Sequence, residues 1–234
     1  MRERVTAMQR ARRLASVVVA VTVGVLALAG CRSEPGVAAY VGDRSFSHQD
    51  VDRVVDEISE QIRPEERGVL RRNVVQMLVV REVATRYAAE HDITVPTVDP
   101  VSFALSNRLP PNTHYAELAA TFNAAVEAVD RTAPSVEPTE ADQREVYSHL
   151  TVQGVPISDS FESARPHLGQ QQIGKAVGLR NLLRDALDEA DVTVNPQYGN
   201  PSFRIPVQVQ PASSWLTVPL TDREPAVSDV TGQL

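Results

Sequence analysis

Residues 37–58 read VAAYVGDRSFSHQDVDRVVDEI, and the order of signals within them decides the fold. Residues 37–46 combine a strand, a turn at Gly42-Asp43 and a second brief extended piece. Ser47 then offers a helix N-cap, with Asp50 three residues on as the reciprocal partner of a capping box. Phe46 and Val51 stand where a hydrophobic staple would put them. Val51, Val54, Val55, Ile58 and Ile62 follow at offsets of 0, 3, 4, 7 and 11, which is one face of a helix. A short β piece running straight into a capped amphipathic helix predicts a mainly α chain with short β segments near its start.

Downstream, the helical pattern continues. Pro64 breaks the first helix and suits the opening of the next, because its missing N–H would be unpaired there anyway. Over 65–90, Leu70, Val74, Met77, Leu78, Ala84 and Ala88 form one stripe, widened by Val75, Val79, Val83 and Tyr87. That breadth implies contacts with more than one neighbour. A short helix is expected within 97–107. A longer one is capped by Thr113 and carries Tyr115, Leu118, Ala119, Phe122, Ala125, Val126 and Val129. Thr139 with Asp142 caps another helix, whose inner positions are Val146 and Leu150. The last strong helix spans 166–190. Gly169, Gly174 and Gly178 cost it about 1 kcal/mol each relative to alanine, so its first half bends or depends on packing. Residues 191–195 read as a closing strand. Beyond residue 199, Phe203, Ile205, Val207 and Val209 alternate with polar positions and with Pro206, which belongs at a sheet edge. The remainder of 200–234 reads as an extended or partly disordered tail, with 221–234 expected to be mobile.

Upstream, Arg2, Arg4, Arg10, Arg12 and Arg13 precede an apolar run over 14–29 that ends at the sole cysteine, Cys31. A charged head followed by an apolar middle is the composition of a secretory signal peptide. The sixteen residues of the run are short for a membrane span, which needs about twenty. Leu28-Ala29-Gly30-Cys31 resembles the lipobox of bacterial lipoproteins, in which the cysteine becomes the lipid-bearing first residue. A lone thiol cannot form an intramolecular disulfide in an oxidising compartment, whereas it can carry a thioether-linked lipid. The expected organisation is a signal peptide over 1–30, a lipidated N-terminus and spacer over 31–36, a helical domain over 37–199 and the tail over 200–234. The expected location is the extracytoplasmic face of the cell membrane, reached through lipid on Cys31.

Residues 31–234 carry 18 basic and 29 acidic side chains, a formal charge of -11. That excess argues against a nucleic-acid partner. Chemistry-bearing motifs are lacking. His48, His91, His114, His149 and His167 show no metal-ligand spacing, and no G-x-S-x-G elbow or phosphate-cradling glycine loop is present. The sequence therefore predicts no metal, no cofactor and no enzyme.

The ensemble resembles the N-terminal chaperone domain of SurA- and PrsA-like extracytoplasmic folding factors. The likeness rests on residues 37–58, on RYAAEHDITV at 86–95, on VEPTEAD at 136–142 and on VTVNPQYG at 192–199, and it covers about residues 37–199. In that family the first and last segments often meet around an inserted parvulin-type isomerase domain. Residues 96–135 are too few for one. The resemblance implies a helical client-binding domain without isomerase activity, acting on unfolded or partly folded exported chains. Met77, Tyr87, Tyr115 and Phe122 are the candidate client-binding residues, because methionine adapts to irregular partners and tyrosine pairs an apolar body with a polar tip. Their alternative role is ordinary core packing. The competing function is an interaction or scaffold lipoprotein for one envelope protein, with 203–209 as an unpaired strand that adds to the partner.

Overall fold

The computed structural model describes residues 34–209 and 212–221. Cys31 and the rest of the lipobox, Leu28, Ala29 and Gly30, lie outside the described residues, as do positions 222–234 of the expected mobile tail. The described residues from Gly36 onward form one compact unit. It is mainly helical, with seven α-helices and five strands among the described residues.

The opening signals give the elements they predict. β1 (Val37–Val41) and β2 (Arg44–Ser47) pair antiparallel about Gly42, whose φ of 58° is one that glycine adopts without a Cβ penalty. The Asp50 N–H donates to Ser47 Oγ at 3.1 Å, and the Ser47 N–H donates to Asp50 Oδ2 at 2.9 Å, which completes the capping box. α1 (His48–Ile58) buries Val51, Val54, Val55 and Ile58. It stops one turn short of the predicted face, so Ile62 reaches the core from beyond a 3-10 turn at Ser59–Gln61.

α2 (Arg67–Glu90) is the axis of the fold, entered through a second 3-10 turn at Pro64–Glu66. Its broad apolar surface is used on several sides, against α1, β1, α4 (His114–Thr132), α7 (Gln170–Glu189) and the C-terminal hairpin. α3 (Pro100–Ser106) begins at its proline, with Asp99 as N-cap, and packs on α4. Thr113 caps α4, and Thr139 with Asp142 caps α5 (Glu140–Val152) in a second capping box.

Two expectations are corrected. The helix predicted over 166–190 begins later. α6 (Phe161–Ala164) and a 3-10 turn at Arg165–His167 precede it, and Gly169, at φ 66°, reverses the chain before α7 starts at Gln170. The strand at 203–209 is also not unpaired. β4 (Ser202–Val209) forms a hairpin with β5 (Ala212–Pro219), with Phe203 opposite Val218 and Pro206 opposite Trp215. Its inner face, including Phe203, Ile205, Leu216 and Val218, joins the same core as the helices, so much of the expected tail is integral to the domain. In a two-stranded ribbon each strand keeps one open edge, which is where Pro206 is tolerated.

β3 (Val192–Val194) pairs antiparallel with β1 in the order β2-β1-β3, so the first and last parts of the 37–199 segment meet in one sheet. Asn195 Nδ2 donates to the Val37 carbonyl at 3.0 Å and reinforces that junction.

Candidate functional site

Three elements far apart in sequence frame an open groove of about 340 Å³. α4 contributes Val126, α7 contributes Ala176 and Leu179, and β4 contributes Phe203 and Ile205. Strand alternation turns Phe203 and Ile205 inward while Arg204 and Pro206 face out, so the hairpin supplies an apolar floor and Pro206 supplies its edge. Phe122 meets Phe203 edge to face, ring centres 5.7 Å apart, and holds the hairpin against α4. The rim is polar: Asn123, Glu127 and Asp130 from α4, Gln172 and Lys175 from α7.

Lys175, the chain's only lysine, crosses from α7 to the end of α4. Its ammonium donates to the carbonyls of Asp130 at 2.6 Å and Ala133 at 2.7 Å. The carbonyls at the end of a helix carry the negative end of the dipole, so a cation stabilises them.

The spacing between α4 and α7 is fixed by glycine. The segment that leaves α4 lies across Gly174 and Gly178, and the Val136 N–H donates to the Gly174 carbonyl at 3.0 Å. Further along α7, Arg180 reaches α5, where it pairs with Asp142 at 2.6 Å and lies 3.7 Å from Glu145. The side chains of Arg180 and Asp142 are only 12% and 5% exposed. Burial pushes the Asp142 carboxyl up, but hydrogen bonds from Thr139 and Arg180 prevail and hold it below the usual carboxylate range. Glu145 Oε1 also accepts the Thr217 N–H at 2.7 Å, tying α5 to β5.

The four predicted client-binding residues are all half-buried and packed against the core. Phe122 touches the groove through Phe203. Tyr87 lies elsewhere, stacked on His91 with ring centres 3.9 Å apart and lining a separate depression of about 70 Å³ between α2 and α7. Burial raises the Tyr115 hydroxyl pKa, and Met77 serves as packing. The structure therefore places Tyr87 at a depression separate from the groove, which Phe122 reaches only through Phe203. The floor residues Leu179, Phe203 and Ile205 escaped the sequence reading as site residues, although the alternation over 203–209 marked two of them as inward-facing.

The histidines make local contacts. His48 Nδ1 lies 2.8 Å from the Tyr198 hydroxyl, His114 Nδ1 lies 2.5 Å from Glu57 Oε1, and His149 stacks on Trp215 with ring centres 4.3 Å apart. Arg204 also lies over Trp215, at 4.7 Å from the ring centre, so an arginine, a tryptophan and a histidine converge on the outer side of the hairpin. Among the described residues no group of three or more His, Cys, Asp or Glu side chains is placed to hold a metal ion. No described helix is long and apolar enough to cross a membrane.

No protein family, curated protein or solved structure matches this chain.

Proposed function

We propose that this chain is an extracytoplasmic, lipid-anchored, chaperone-like binding protein of the SurA/PrsA N-terminal type, without isomerase activity. Cys31 carries the lipid, and unfolded or partly folded exported polypeptides are the clients. The observation that supports the reading is the open groove between α4, α7 and β4, with an apolar floor and a polar rim. Its volume falls within the range of about 300–1,000 Å³ typical of ligand sites. A floor of Leu179, Phe203 and Ile205 offers apolar contact without a set of directional donors, which suits clients of varied sequence. The pairing of β1 with β3 agrees with the closure of first and last segments that the resemblance implies. Pro206 blunts the open edge of β4, so client side chains on the floor, not strand addition, supply the affinity.

A second reading, a scaffold lipoprotein for one folded envelope partner, is favoured by the convergence of Arg204 and His149 on the half-buried Trp215, since tryptophan and arginine dominate the energetics of dedicated interfaces. Crosslinking in cells followed by co-purification separates the two. A broad set of exported chains supports the chaperone reading, and one stoichiometric partner supports the scaffold.

A further inference from the structure

The charges at the groove narrow what it takes, an inference that rests on the polypeptide-binding reading above. Asp130 sits in the last turn of α4, where the helix dipole disfavours an acid. It is half-buried at the groove, and its carboxylate forms no ion pair or hydrogen bond with any described residue. The nearby ammonium of Lys175 is occupied by the Asp130 and Ala133 carbonyls. On the same rim, Glu127 has only a loose partner, Arg131, at 3.5 Å, and both side chains are more than half exposed. An acid placed against the helix dipole with no direct side-chain partner among the described residues is a costly arrangement that Lys175 offsets only from a distance, and a cationic ligand group would offset it further.

We propose that the groove accepts an extended polypeptide segment in which apolar side chains flank a lysine or arginine. The apolar groups seat on Leu179, Phe203 and Ile205, and the cation is held by Asp130 with Glu127 beside it. The net negative charge of residues 31–234 steers basic segments toward this surface and away from acidic ones.

The test uses the full chain in lipid nanodiscs and short fluorescent peptides that share their apolar residues and differ only in a central Arg, Ser or Glu. Anisotropy titration is expected to rank them Arg, Ser, Glu, with about tenfold between the extremes at low salt and less at high salt. Asp130→Asn is expected to weaken the Arg peptide about fivefold and leave the Ser peptide unchanged. Glu127→Gln, on an exposed helix face, gives the same selective loss at smaller size and stands in if Asp130→Asn disturbs folding. Equal affinity for the three peptides, or a loss spread evenly across them in both variants, overturns the charge preference while leaving polypeptide binding in place. Binding of none of the peptides overturns both.

Discussion

The carbonyl oxygen of Pro134 occupies the space that a β-carbon on Gly178 would need. One helical turn earlier, a β-carbon on Gly174 would lie 2.5 Å from the Val136 carbonyl oxygen. These two glycines let the chain leaving α4 run against the bare backbone of α7. The groove inherits its width from that contact, because Val126 and Leu179 stand on the two helices it joins.

Gly178→Ala is therefore expected to destabilise the protein by about 2–3 kcal/mol, since neither the linker carbonyl nor the helix backbone can yield cheaply. Gly68→Ala is the control. Gly68 is exposed near the start of α2 with open space around it, and the substitution is expected to stabilise by about 0.5 kcal/mol. Urea unfolding of the two variants measures both, and similar effects would contradict the close-approach role of Gly178.

The Arg180–Asp142 pair gives a larger effect. Arg180→Met leaves Asp142 buried without its counter-charge and is expected to cost about 3 kcal/mol. Adding Asp142→Asn removes the stranded charge and is expected to recover part of that loss. A double variant no more stable than Arg180→Met alone would contradict the assignment.

Acid stability follows from the same carboxylate. The folded pKa of Asp142 is lowered, so its contribution to stability is present above the unfolded value of about 3.9 and is lost as pH falls through the folded value. Asp50, lowered by its hydrogen bonds with Ser47, acts in the same direction. Unfolding free energy is expected to fall as pH drops below about 4, and Asp142→Asn is expected to make that fall shallower. An unchanged pH profile in Asp142→Asn would contradict it.

Truncation after residue 199 tests whether the hairpin belongs to the core. Removing β4 and β5 uncovers Val80, Val83, Leu183 and Leu187, which pack around Phe203 and Val218. The truncated chain is expected to lose cooperative thermal unfolding. A sharp transition near that of the full chain would return 200–234 to the status of a tail.

Much of this fold was legible because its signals are local. Ser47 with Asp50 and Thr139 with Asp142 each place an acceptor and a donor within one helical turn, and both boxes form. Thr113 likewise caps α4, its Oγ1 accepting the Ala116 N–H at 3.1 Å. β5 was harder to read, because an inward position is held by Ser214, whose hydroxyl is buried by donating to the Val146 carbonyl at 3.0 Å. A serine in that place breaks the apolar alternation by which a strand is recognised. The glycines of α7 were visible as a helix weakness, but their purpose depends on a linker some 40 residues earlier, beyond any local pattern. For the same reason Phe122 and Tyr87 looked equivalent in sequence, although Tyr87 lines a depression separate from the groove that Phe122 reaches through Phe203, and the floor of Leu179, Phe203 and Ile205 emerged only when three distant elements came together.

The measurement that tests the central claim most directly is aggregation of a chemically unfolded exported protein with and without residues 32–234, against an inert acidic protein at equal concentration. A parallel arm carries Val126→Glu, which charges the half-buried apolar wall of the groove. Dose-dependent suppression by the native sequence is expected, with its loss in Val126→Glu while circular dichroism shows the fold intact. No suppression across several clients, or suppression unchanged by the substitution, would contradict the groove as a client site.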